Sequence, residues 1–126
     1  MAAMSNYLEA ALLDATLRDV PYTSPSTVYL ALFINDPTDA GTGTEVSGGS
    51  YARQVVTFQA PTNGACINAA DVLFEDMPAV TVTHVGIYDA VSGGNLLYHG
   101  QLAAFRAVQA GDDFLIRASD LTIALD

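Results

Sequence analysis

The chain has 126 residues, 51% of them hydrophobic, a formal net charge of -10 and no lysine; its cations are Arg18, Arg53, Arg106 and Arg117. That length supports a core without disulfides or metals. So acidic a surface repels phosphate backbones and anionic lipid, which argues against nucleic-acid and membrane partners. Solubility is the plain reading of the charge; a basic protein face or a divalent cation is the pointed one.

At the N-terminus, Asn6-x-x-Glu9 is a capping-box-like start, with Ser5 as a second N-cap candidate. Leu8, Ala11, Leu12 and Ala15 then recur at helical spacing, and Leu13 and Leu17 widen the stripe. Pro21 and the stretch to Pro25 stop it, so an amphipathic helix is expected over 6–19, lying on a sheet or on a neighbouring subunit. The opening MAAMSNYLEAALLD lacks the basic start and continuous apolar core of a signal peptide, and no apolar run approaches the roughly 18 residues of a membrane span. Assembly in a cytoplasm is the expectation.

Beyond Pro25 the period changes. Ser26–Asn35 is apolar on both alternating faces and reads as a buried central strand. Asp36–Arg53 (DPTDAGTGTEVSGGSYAR) then forms a long loop carrying four of the ten glycines. Loops beyond about 12–15 residues are usually functional or mobile. With so little apolar surface to offset the entropy of ordering, this one is expected to be ordered from outside, by a neighbouring chain. Arg53–Ala60 reads as the next strand and Pro61-Thr62-Asn63-Gly64 as a turn. Cys66–Phe74 is expected as a half-buried strand, and Val80–Asp89 alternates again. Val91-Ser92-Gly93-Gly94 closes a hairpin onto Asn95–Leu102. A turn at Ala110–Asp113 and strands at Phe114–Ala118 and Leu121–Leu125 finish the chain.

Seven or eight short strands and one helix predict a mostly β fold: an antiparallel β-sandwich, jelly-roll-like or a related barrel, with one N-terminal α-helix, forming a single domain over 1–126. No Gly-rich strand-to-helix turn supports a wound α/β fold.

Candidate chemistry is thin. His84 and His99 fall on facing arms of the hairpin pair with Asp89 nearby, yet no third ligand stands at a recognisable spacing. Asp36, Asp39 and Glu45, or Asp112 and Asp113, could offer oxygens to Ca²⁺, but Asp is common in turns for conformational reasons. There is no Gly-x-Ser-x-Gly elbow, and the lone Cys66 has no basic neighbour to activate it. The expectation is no catalytic, cofactor or metal site. Tyr51-Ala52-Arg53 is more suggestive, since Tyr and Arg are enriched at interface hot spots; Arg53 either pairs with a carboxylate or meets a partner.

Taken together, SNYLEAALLD, the Thr27–Phe58 stretch, THVGIYDAVSGGNLLYHGQL and AGDDFLIRASDLTIALD resemble a family of small tailed-bacteriophage virion proteins. GTEVSGGSYAR (43–53) and GIYDAVSGGNLL (86–97) are the most specific parts of the resemblance, which spans nearly the whole chain. FEDMPAV (74–80) is short and lacks the Trp-containing segment of the commoner pattern. Members are often labelled tail-fibre proteins, and others similar to them decorate phage heads. The resemblance implies a structural virion protein without catalytic residues. The compact, repeat-free chain points to capsid decoration: cement on the outer head surface, binding the major capsid protein and itself as a homotrimer. A tail-fibre or tail-tip protein for host attachment is the alternative, and a carbohydrate-binding module, disfavoured by the absence of Trp, a further one. The expected protein contacts are Tyr7 and Leu8 on the helix and Asp39, Thr42, Thr44, Glu45, Tyr51 and Arg53 on the long loop.

Overall fold

The hairpin is the centre of the structure. A computed structural model describes residues 2–125. In chain order the elements are β1 (Ala2–Met4), α1 (Asn6–Leu17), β2 (Val28–Phe33), β3 (Gln54–Val56), β4 (Ala65–Ile67), β5 (Val72–Phe74), β6 (Val80–Tyr88), β7 (Leu96–Val108), β8 (Phe114–Ile116) and β9 (Thr122–Ala124). β6 and β7 pair antiparallel and sit within a five-stranded sheet of order β1-β7-β6-β2-β3. Two short antiparallel ladders, β4-β9 and β5-β8, pack on one face of it. The result is mostly β and sandwich-like, with one helix, as the sequence predicts.

Period-two alternation assigns the faces. Leu30 and Leu32 of β2, Val82, Val85 and Ile87 of β6 and Leu97 of β7 enter the main core, where they meet Phe74, Met77, Phe114 and Ile116. An irregularity between Val82 and His84 keeps Val82 and Val85 on the same side despite their odd spacing. The opposite face carries a second cluster, Ala31, Phe33, Tyr88 and Leu96. Only glycine fits at Gly86 beneath this cluster, because a Cβ would stand 2.9 Å from Leu96 and 3.0 Å from the Phe33 ring. In the second layer the buried Asn68 donates to the carbonyls of Ala70 and Arg117 and accepts from Leu121 N–H, joining β4 and β9 to the turn before β9.

Several boundaries differ from expectation. The helix ends at Leu17 rather than Asp19: Arg18 N–H closes on the Asp14 carbonyl and Asp19 turns left-handed at φ 57°. Its N-cap is Ser5, whose Oγ accepts from Leu8 N–H. Leu8 is buried, but Leu13 and Leu17 face solvent, so the apolar stripe is narrower than predicted. Cys66–Phe74 is not one strand; it divides into β4 and β5, which belong to different ladders. The strand over 53–60 shortens to β3, with Phe58 making only an isolated bridge to Asn68. β7 runs on to Val108, and the three-residue β1 was not expected at all.

Candidate interaction surface

The long loop is ordered from within its own chain, which corrects the expectation of an outside partner. β3 pairs with Val28–Leu30, and where it stops the loop takes over the same edge of β2: Val46 N–H donates to the Leu32 carbonyl (2.9 Å) and Ile34 N–H to the Thr44 carbonyl (3.1 Å). Val46 is thereby buried in the main core, and Pro37 is buried too. Asp36 Oδ1 caps a tight turn by accepting Thr38 N–H at 2.9 Å, and Thr42 N–H returns to the Pro37 carbonyl at 2.6 Å.

The loop's polar anchors converge on Arg53. Its Nε and Nη2 donate to the two oxygens of Glu45 at 3.0 and 2.9 Å, a bidentate pair. Nη1 donates to the carbonyls of Ala90 (3.0 Å) and Gly93 (2.8 Å), and the guanidinium lies 3.7 Å from the centre of the Tyr88 ring. Tyr51 donates its hydroxyl proton to Glu45 at 2.7 Å, and the Tyr51 hydroxyl oxygen accepts Leu32 N–H at 2.9 Å. Burial, then the Glu45 hydrogen bond, pushes the Tyr51 hydroxyl well above the ordinary tyrosine range. Burial pulls the Arg53 pKa down, but the Glu45 carboxylate outweighs it and the net shift is upward. Arg53 thus ties the 43–53 stretch to the hairpin loop of the 86–97 stretch. The two most specific segments of the sequence resemblance meet at one side chain.

A second anchor is His99 on β7. Its Nε2 stands 2.7 Å from Asp39 Oδ1 and its Nδ1 3.7 Å from Asp36 Oδ1, while Asn6 N–H donates to the Asp39 carbonyl at 2.8 Å. His84 and His99 border one shallow hollow with Asp36 and Ala2, so the sequence pairing of the two histidines holds. The carboxylates beside them come from the long loop, however, whereas Asp89 is spent closing the hairpin onto Asn95 N–H (2.7 Å) and its side-chain amide (3.0 Å). His84 Nδ1 is engaged by the Thr83 hydroxyl at 2.7 Å. Asp112 and Asp113 accept from Gln109 and Asp76 backbone N–H groups, the conformational role expected of turn carboxylates.

The eight expected contact residues therefore separate. Leu8 is core, and Glu45, Tyr51 and Arg53 are joined to one another. Thr42 and Thr44 are exposed on the loop, steadied by the Thr38 hydroxyl and Asn35. Tyr7 and Asp39 flank a surface hollow of about 380 Å³ between the start of α1, the loop at Gly41 and the hairpin loop at Asn95. Sequence reasoning named Ser5 as an N-cap candidate but missed its hydroxyl's hydrogen bond to the Leu96 carbonyl, and it missed the loop's grip on His99. The N-cap position was a signal for the first; nothing local in sequence links His99 to a residue 60 positions away.

No curated protein matches the chain. A family model described as "Podophage GP4 fiber I protein gp80" matches residues 3–124. With so much of its length covered, the chain belongs to the podophage GP4 fiber I protein family, a family of phage virion structural proteins.

Proposed function

We propose that the chain is a subunit of a virion fibre, presenting a rigid β-module to other virion proteins. The family match over residues 3–124 carries the reading, since the family's description names a fibre protein. The geometry supports it: a loop that a free chain would leave mobile is already fixed by Arg53 and His99. Docking through its exposed Thr42, Thr44 and Asp39, beside Tyr7, then costs little conformational entropy. A structural role leaves no work for a catalytic constellation.

Capsid decoration is the second reading. It is favoured by a chain without internal repeats, its partners being the major capsid protein and further copies of itself. A carbohydrate-binding role loses ground because, of the large exposed apolar side chains among the described residues, only Tyr7 and Phe105 are aromatic and they lie on different elements. Cryo-EM of the virion decides between the first two. Density for this chain on the tail is the expected result, and density over the capsid lattice would replace the fibre reading with the decoration one.

A further inference from the structure

Asn63-Gly64 is the chain's one Asn-Gly pair, and the turn it occupies favours it. Thr62 and Ala65 exchange both main-chain hydrogen bonds, at 2.9 and 3.1 Å, which closes a hairpin through only two residues. Both of those residues are left-handed, Asn63 at φ 52° and Gly64 at φ 78°. Asparagine followed by glycine makes such a turn at least cost. Gly64 is fixed from a second side: Leu125 N–H donates to its carbonyl at 2.8 Å, and a Cβ at Gly64 would stand 3.0 Å from the Leu125 carbonyl oxygen. The turn therefore ties the start of β4 to the end of β9.

The same pair is chemically labile. A glycine nitrogen carries no neighbouring side chain to shield it from the amide carbon of the asparagine before it. Here Pro61–Gly64 is exposed throughout. Neither the Gly64 N–H nor the Asn63 side chain enters a hydrogen bond among the described residues. The other four asparagines are placed differently. Asn35, Asn68 and Asn95 are tied by side-chain hydrogen bonds, and Asn6 is followed by Tyr7 in the first turn of α1.

We infer that Asn63 is a modification site, at which the chain converts its own asparagine to aspartate and isoaspartate through a cyclic imide. The Gly64 nitrogen bonds to Asn63 Cγ, the Cγ–Nδ2 bond breaks, and Nδ2 leaves as ammonia with the proton that Gly64 gives up. Water then opens the ring at either carbonyl and returns a proton to the nitrogen. Opening at Cγ gives aspartate. Opening at the main-chain carbonyl gives isoaspartate, in which the chain runs on through Cβ and Cγ. The attack requires the turn to open briefly, as exposed hairpin ends do. Both products add a negative charge, but only isoaspartate lengthens the backbone. A two-residue turn has no slack for the added carbon, so the Thr62–Ala65 pair and the Leu125 contact are lost together and the β4-β9 ladder loosens. The conversion goes beyond the fibre reading and does not depend on it.

Peptide mass spectrometry of the full chain, aged in mildly alkaline buffer, provides the test. The peptide bearing Asn63 should show the small mass gain of an amide turned to an acid before any other asparagine changes, and electron-transfer fragmentation should resolve both aspartate and isoaspartate. The aged chain should exchange its amides faster across β4 and β9, while β6 and β7 keep theirs. Freshly made Asn63→Asp adds the charge without the length and should exchange like the unaged chain. Asn63→Gly keeps a turn that tolerates left-handed residues and should neither gain mass nor loosen on ageing. First conversion at another asparagine overturns the site, and aspartate without isoaspartate overturns the cyclic imide. Loosening in fresh Asn63→Asp overturns the part given to the added carbon.

Discussion

At the scale of the residue, Arg53 shows what sequence could and could not reveal. Pairing with a carboxylate was one of two readings of this side chain, because the chain offers 14 carboxylates to four cations. Which carboxylate could not be read, since the choice of Glu45 depends on the loop reversing direction along the edge of β2. The Arg53 side chain is only 9% exposed and that of Glu45 27%, so the pair is more than a surface salt bridge. Removing the acid strands a desolvated guanidinium and the Tyr51 hydroxyl together. Glu45→Ala is therefore expected to lower unfolding stability by about 2–3 kcal/mol, read as a lower urea midpoint with an unchanged slope. Tyr51 adds a pH signature. Its pKa is raised in the folded chain, so above the ordinary tyrosine value of about 10 the unfolded state has lost a proton that the native state keeps. Stability is fully present below that pH and falls as pH rises past it. Urea midpoints between pH 9 and 11 should decline, and Tyr51→Phe should decline less steeply; equal slopes would remove Tyr51 from the explanation.

Elements were legible where an unbroken period runs through them, and β7, the longest at 13 residues, was read only as far as Leu102. The long alternating runs of β2 and β6 and the Gly-Gly hairpin carry their own periodicity, and all three appear where the pattern places them. β1, β4 and β5 are three residues each, too short for a period, and they exist because Tyr98–Gly100, Thr122–Ala124 and Phe114–Ile116 lie opposite them. The long loop was misread for a related reason. Its composition is polar and Gly-rich, but Val46 and Pro37 are buried by partners far along the chain, and only those partners make ordering favourable. Two substitutions probe the joints. Ser5→Ala removes both the helix N-cap and the buried hydrogen bond to the Leu96 carbonyl, and should cost about 1–3 kcal/mol, with faster amide exchange across β1 and the first turn of α1. At Gly49 φ is +55° and a Cβ would stand 2.5 Å from the Asp76 carbonyl oxygen, whereas at Gly93 φ is +62° with nothing within 4 Å. Gly93→Ala should therefore cost only the backbone strain, about 1–2 kcal/mol, and Gly49→Ala distinctly more, because a main-chain oxygen has to move.

The whole molecule follows from where its polar anchors are spent. Arg53 joins the long loop to the hairpin, His99 joins it to β7, and Ser50 joins it to Asp76 near the second layer (2.6 Å). A loop held at three points belongs to the same cooperative unit as the sheet, so it should unfold with the core rather than before it. Trypsin reports this directly, because a chain without lysine offers it only four sites. The Arg18 side chain is 73% exposed at a helix end and Arg117 is exposed before the last turn, whereas Arg53 is clamped between Glu45 and the hairpin carbonyls. Cleavage requires the backbone around a site to leave its place for the protease. Limited digestion of the native chain should therefore cut after Arg18 and Arg117 first, with cleavage after Arg53 appearing only in urea near the global midpoint. Glu45→Ala should bring the Arg53 cut forward into native conditions by loosening one of the three ties. Early cleavage after Arg53 in the unmodified chain, with the circular dichroism of the sheet still intact, would mean that the loop opens independently of the core and that ordering it does fall to a partner.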